Sequence, residues 1–265
     1  MSRRVAVAGL MVVIAAAAVV ISTQSDSGTG PGTQAGSGLS AGPAPDRLVR
    51  RRFDLGSSVR GRRIVAVQLG DPDAQRSLLV VGCIHGNEPA GIAIARRLER
   101  SPPPPEQQVW AIADLNPDGV LLGTRKNAHG VDLNRNFPWR WGHLGPPGTQ
   151  QYSGPRPLSE PEARIARSLI LKVRPQISVW FHQPLGLVDQ SGGKIGVERR
   201  FARLAGLPLR RLPRYTGSAV GWTNHRLAGA SAFVVELPRG RLARRALQRD
   251  AEALIRLGAN RRAAA

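Results

Sequence analysis

The stretch Arg76–Arg100, RSLLVVGCIHGNEPAGIAIARRLER, decides how this chain is built. Leu78 to Ile84 is apolar with no alternation, the pattern of a strand covered on both faces. Pro89 then opens PAGIAIARRLER, whose apolar residues recur at helical spacing until the run Pro102–Pro105 stops them. A buried strand, a short loop and a helix form the repeating unit of an α/β sheet. The loop between them carries His85 and Glu88, three residues apart. Open α/β sheets bind ligands at the carboxyl ends of their strands, so this loop is the first place to look for chemistry.

The same grammar continues on both sides of that unit. RRIVAVQLG (62–70) and QVWAIADL (108–115) read as strands, the second ending at the turn signal NPDG (116–119). SEPEARIARSLILKV (159–173) reads as a helix with Ser159 as its cap and acids in its first turn. ISVWFH (177–182), a helix over VERRFARLAG (197–206), the strand SAFVVEL (231–237) and a helix over RLARRALQRDAEALIRL (241–257) complete the order. His182 closes one apolar strand, and Glu236 lies near the end of another. The alternation predicts an α/β fold, a single domain over residues 47–260.

Composition bounds the rest. Of 265 residues, 42% are apolar, enough for a sizeable core. The formal charge of +20 comes from 35 arginines and only three lysines, spread along the chain rather than gathered with aromatics. That distribution predicts no nucleic-acid partner. Arg3 and Arg4 precede Val5–Ile21, which contains no polar residue. Residues 1–22 therefore read as a signal peptide or membrane anchor, and 23–46, rich in Ser, Gly, Thr and Pro, as a flexible linker. The domain is expected outside the membrane, secreted or tethered through its N-terminal segment. The one cysteine, Cys83, excludes a disulfide within the chain and reads as core.

Two imidazoles and a carboxylate (His85, Glu88, His182) are the donor set of an open zinc site, and Glu236 is a further carboxylate able to move protons. A carboxylate after AFVV is costly to bury without a partner, which favours a working role.

Four stretches in order, HGNE, NPDGVLLGTRKNAHGVDLNRNFP, FH and VVELP, resemble the zinc carboxypeptidases of the carboxypeptidase A kind, and among them the small bacterial murein peptide amidases. The resemblance runs from about Leu55 to Pro238. It implies a central mixed eight-stranded sheet flanked by helices, one zinc per chain and hydrolysis of a C-terminal amide bond. It implies His85, Glu88 and His182 as metal ligands, Glu236 as general base and Arg125 as the cation that steadies the developing oxyanion. Asn134 and Arg135 match the pair that grips the substrate's terminal carboxylate, and Asp132 the acid that orients His85. Tyr215 stands near the position of a tyrosine that caps the substrate, although the segment after it aligns poorly. The implied partner is a peptide, cell-wall stem peptides included, outside the bacterial cytoplasmic membrane.

No acid occurs between Glu198 and Glu236, whereas Arg203, Arg210, Arg211, Arg214 and Arg226 do, which argues against a pocket for basic C-termini. His129, His143 and His225 have no motif partner and read as loop or surface residues. Two other readings stay open from sequence: an acyl-amino-acid amidohydrolase with the same ligand pattern, and a non-catalytic cationic wall-binding module.

Overall fold

Eight strands form one sheet within residues 48–259, the residues that the computed structural model describes. The signal or anchor over 1–22 and the linker over 23–46 lie outside the described residues. The strands are β1 (Val49–Ser57), β2 (Arg63–Gly70), β3 (Ser77–Val81), β4 (Gln108–Ile112), β5 (Ile177–His182), β6 (Leu185–Asp189), β7 (Leu209–Arg210) and β8 (Ser231–Pro238). Their order across the sheet is β1-β2-β4-β3-β5-β8-β6-β7. The central β4-β3-β5-β8 block is parallel, while β1, β2 and β6 join antiparallel to their inner neighbours. The sheet is therefore mixed and eight-stranded, as the resemblance implies.

Side-chain alternation along the parallel block feeds two cores. On one face Leu79, Trp110, Trp180 and Val234 pack beneath α3 (Pro161–Val173) and α5 (Ala219–Arg226). On the other, Leu78, Val109, Val179, Phe181 and Phe233 pack beneath α1 (Ala90–Glu99), α4 (Ile195–Ala205) and α6 (Arg244–Gly258). Burial on both sides explains the unbroken apolar runs, each fully buried side chain contributing about 1.5–3 kcal/mol.

The structure corrects several local readings. NPDG is more than a turn: Asn116 accepts the Gly119 N–H and caps α2 (Pro117–Leu122). Ser159 does not cap α3, which follows Glu160 without a side-chain cap; its hydroxyl binds Glu160 Oε1 and accepts from Asn136 instead. The sequence signals also miss β1, β6, β7 and α5. In β1, VRRRFDLGS, only Val49 is buried, so no apolar pattern marks the strand. No helix among the described residues is long and apolar enough to cross a membrane.

Candidate active site

His85 and Glu88 lie in the loop between β3 and α1, and a bond from Glu88 N–H to His85 C=O closes that loop. Gly86 makes the loop possible. A Cβ there would fall 1.9 Å from the carbonyl carbon of Gly119 in α2, so only glycine lets the two backbones meet. His182 and Glu236 face each other as partners in the parallel β5–β8 register, on the face that also carries Trp180 and Val234. Two buried strands and one short loop thus deliver all four residues to a single place.

Three donor atoms converge there. His85 Nδ1 lies 3.0 Å from Glu88 Oε2, His182 Nδ1 is 2.9 Å from the same oxygen, and the two Nδ1 atoms are 3.0 Å apart. All three residues are buried, and they are the group of donors among the described residues placed to hold a metal. A tetrahedral ion with bonds of about 2.0–2.1 Å holds its ligands roughly 3.3 Å apart, so the cluster fits zinc. Two imidazoles and one carboxylate supply three ligands and leave a fourth position for water or substrate.

Asp132 orients this cluster. Its Oδ1 is 3.0 Å from His85 Nε2 and accepts the Asn134 N–H, which directs Nδ1 toward the metal position. Its Oδ2 accepts from Arg125 Nε at 2.9 Å, and Arg125 Nη1 donates to Glu88 Oε1 at 3.0 Å. Arg125 therefore occupies one oxygen of Glu88 and leaves Oε2 facing the histidines. The sequence reading gave Arg125 to a substrate oxygen; in the structure it also spans two carboxylates of the site.

The electrostatics separate the carboxyl groups. Burial pushes Glu88 up, but hydrogen bonds to His182 and His85 outweigh it and hold Glu88 well below the usual range. Burial likewise opposes ionisation of Asp132, and the charges of His85, Arg125 and Arg135 hold it down. Burial lowers His182. It would lower His85 too, yet the Asp132 carboxylate raises that histidine overall. Glu236 moves the other way: burial first, then the nearby Glu88 charge, push it up to about 7. Its Oε2 is buried with no partner.

Asn134 and Arg135 follow in a 3₁₀ turn, Leu133–Arg135, on the α5 side of the sheet. Asn134 Oδ1 accepts the Ala219 N–H at the start of α5, leaving its amide nitrogen as the free end. Arg135 is buried; Nη1 donates to Asn134 C=O, and Nε has no partner. Tyr215 covers it, with the guanidinium carbon 4.2 Å from the ring centroid. Tyr215, whose sequence position suggests a residue that caps the substrate, arrives here because of Gly217. That residue has φ +64°, exchanges backbone bonds with Phe137 and Trp139, and sits so close to Arg135 that a Cβ would lie 2.2 Å from its carbonyl oxygen. The structure thus brings His85, Glu88, Arg125, Asp132, Asn134, Arg135, His182, Tyr215 and Glu236 into one neighbourhood.

Other features were invisible in the sequence. Gln183 accepts the Ala90 N–H at the start of α1 and donates to the carbonyls of Pro238 and Gly240, tying the β5, α1 and β8 ends together. His129 is a loop residue but has a partner, the buried Glu160 at 2.8 Å, which with Glu162 also receives Asn127 and props the loop leading to Asp132. His225 is at the surface but in the last turn of α5 rather than in a loop, where it stacks on Trp139, and the exposed His143 packs edge-on against Trp141. An acid from β6 meets the segment between Glu198 and Glu236. Asp189 is buried but already taken by Arg214 at 2.8 Å, Ser191 and the Leu212 N–H. Arg210 turns onto its own strand carbonyl.

The chain is similar to known proteins over this region. Residues 106–184 match the zinc carboxypeptidase family. Murein peptide amidase A of Escherichia coli strain K12 is 32% identical over 158 residues, covering 54% of this chain and 65% of that protein. The Vibrio campbellii protein of the same name is 36% identical over 145 residues, 51% of this chain and 58% of that one. The matched stretch spans less than two thirds of either relative. Among solved structures, murein-tripeptide amidase MpaA from E. coli O157 superposes with a TM-score of 0.63 and 27% identity, covering 78% of this chain and 90% of that one. Carboxypeptidase A from Helicoverpa armigera superposes at 0.67, with 18% identity over 79% of this chain and 68% of that one, a likeness of fold alone.

Proposed function

We propose that this chain, whose residues 106–184 match the zinc carboxypeptidase family, is a peptide amidase that hydrolyses the amide bond to a residue with a free α-carboxylate, acting on peptidoglycan stem peptides. The observation that carries this reading is the three-donor cluster of His85, Glu88 and His182 beside the buried, unpartnered carboxyl oxygen of Glu236. Zinc, when bound, supplies a Lewis acid that makes a water nucleophilic near neutral pH and polarises the scissile carbonyl.

The protein's own residues do the remaining work. Glu236, the carboxylate with the highest affinity for a proton here, takes one from the attacking water and returns it to the departing amine nitrogen. The products are a carboxylic acid and an amine. Arg125 Nη2, the guanidinium nitrogen left over after Glu88 and Asp132 are served, is available to a developing oxyanion. The Arg135 guanidinium and the Asn134 amide meet the substrate's terminal carboxylate, and Tyr215 shields that contact from water. The apolar run Val5–Ile21 supports export, so that the enzyme meets its substrate outside the cytoplasmic membrane.

A substrate panel tests the reading. The zinc-loaded protein is given L-Ala-γ-D-Glu-diaminopimelate, a simple peptide with a hydrophobic C-terminus, and an N-acyl amino acid. The expected result is release of diaminopimelate as the preferred reaction. Preference for the hydrophobic C-terminus would remove the cell-wall assignment. Turnover of the N-acyl amino acid alone would make the protein an amidohydrolase of small molecules.

A further inference from the structure

A groove of about 620 Å³ opens beside the site, lined among others by Asn87, Glu88, Gln183, Arg239, Arg241 and Leu247. It lies on the α1–α6 side, because Ala90, Leu242 and Leu247, which also line it, pack against that core. Asn134 and Arg135 lie on the opposite, α5 side. Glu88 belongs to both: Oε2 faces the histidines while the residue forms one wall of the groove. With its terminal carboxylate on Arg135 and its scissile bond at the cluster, a peptide would have its other half, the acyl side, directed toward this groove, which meets the cluster at Glu88.

The groove is chemically biased. Glu88 is its one acid, and that carboxylate is taken by His85, His182 and Arg125. Arg239 and Arg241 are exposed and enter no salt bridge among the described residues. Their turn is held in place, since Gln183 donates to Pro238 and Gly240 while receiving the first N–H of α1. An adjoining cavity of about 440 Å³, sharing Pro89, Ala93 and Leu247, adds Arg96, Arg97 and Arg100 and no acid.

We propose that Arg239 and Arg241 form a specificity subsite that reads a carboxylate on the acyl side of the substrate, so that the enzyme selects peptides carrying an anionic residue before the scissile bond. This rests on the amidase reading, but the two are separable. Arginine holds a carboxylate through two charge-assisted bonds, and a groove floored by Leu242, Leu247 and Pro184 screens such a pair less than open water does.

The test uses two tripeptides that differ only in one acyl-side carboxyl group, a free acid in one and a carboxamide in the other. Both are titrated calorimetrically into zinc-loaded Glu236→Gln protein and into the same protein carrying Arg239→Ala and Arg241→Ala. The acid is expected to bind about tenfold more tightly than the amide. That margin should shrink to within about twofold in the arginine variant, and should also shrink as salt is raised. Equal binding of acid and amide, or a margin that survives loss of both arginines, overturns the proposal. Matched melting temperatures and zinc contents guard against misfolding, and Arg241→Lys should retain an intermediate margin. Failure of the amidase reading shows separately, as wild type that cleaves neither peptide while the binding margin persists.

Discussion

Asp132 concentrates the logic of the site in one side chain: one oxygen fixes His85, and the other holds Arg125, which in turn occupies the spare oxygen of Glu88. Replacing it with asparagine keeps the shape but removes the charge that favours a ligating, properly oriented imidazole. Asp132→Asn is expected to weaken zinc binding about 10–100-fold, measured by competition with a chromophoric chelator. Unchanged affinity would show that His85 is oriented by other contacts. The four chemical residues were legible in the sequence because each is tied covalently to an apolar strand or to the loop directly after one. Gln183 and Gly217 were not. A glutamine that binds three backbones and a glycine pressed against Arg135 take their meaning from segments distant in sequence.

At the scale of elements, the sheet's parallel block sets the site, and its strand ends carry the electrostatic cost. Asp114 lies two residues past β4, and burial raises its carboxyl to about 6, against an accepted hydrogen bond from Asn116 N–H and the charge of Arg96. The folded protein therefore holds this proton more tightly than the unfolded chain. Its contribution is fully present below the unfolded value near 3.8 and is lost as pH rises through about 6. Asp114→Asn, which keeps an acceptor for Asn116, should be more stable than wild type by about 1–2 kcal/mol at pH 7.5, the gain vanishing below pH about 4. Denaturant melts across that range measure it, and a gain independent of pH would exclude the ionisation as its cause. Elements with unbroken apolar runs were readable in advance. Strand β1 was hidden by its arginines, and α5 by a helix only eight residues long, capped by Ser218 after an irregular segment. Strand β7 was hidden by its two-residue length, and β6 by its mixed burial, exposed at Leu185 and buried only at Val188 and Asp189.

At the scale of the whole molecule, part of the charge of +20 is spent within the fold of the described residues. Arg62 meets Asp118, Arg125 meets Glu88 and Asp132, and Arg214 meets Asp189. The arginines of α1 and of the turn after β8 remain to define one basic side beside the site. Because the ligand cluster joins β3, α1 and β5, a metal there links the centre of the sheet to a helix. Zinc at about 100 times its dissociation constant adds about 2.7 kcal/mol, so stripping it with a chelator should lower Tm by roughly 5–10 °C. A Tm insensitive to chelation would show that the cluster takes no metal in solution.

The most direct measurement is zinc content together with hydrolysis of L-Ala-γ-D-Glu-diaminopimelate by wild type and Glu236→Gln. The account predicts one zinc per chain in both proteins, cleavage by wild type, and a fall in kcat of about 10³-fold in the variant. Loss of zinc from the variant would make Glu236 part of the metal site instead. Full cleavage by a zinc-loaded Glu236→Gln protein would contradict the account, because the proton would then be moved by some other group.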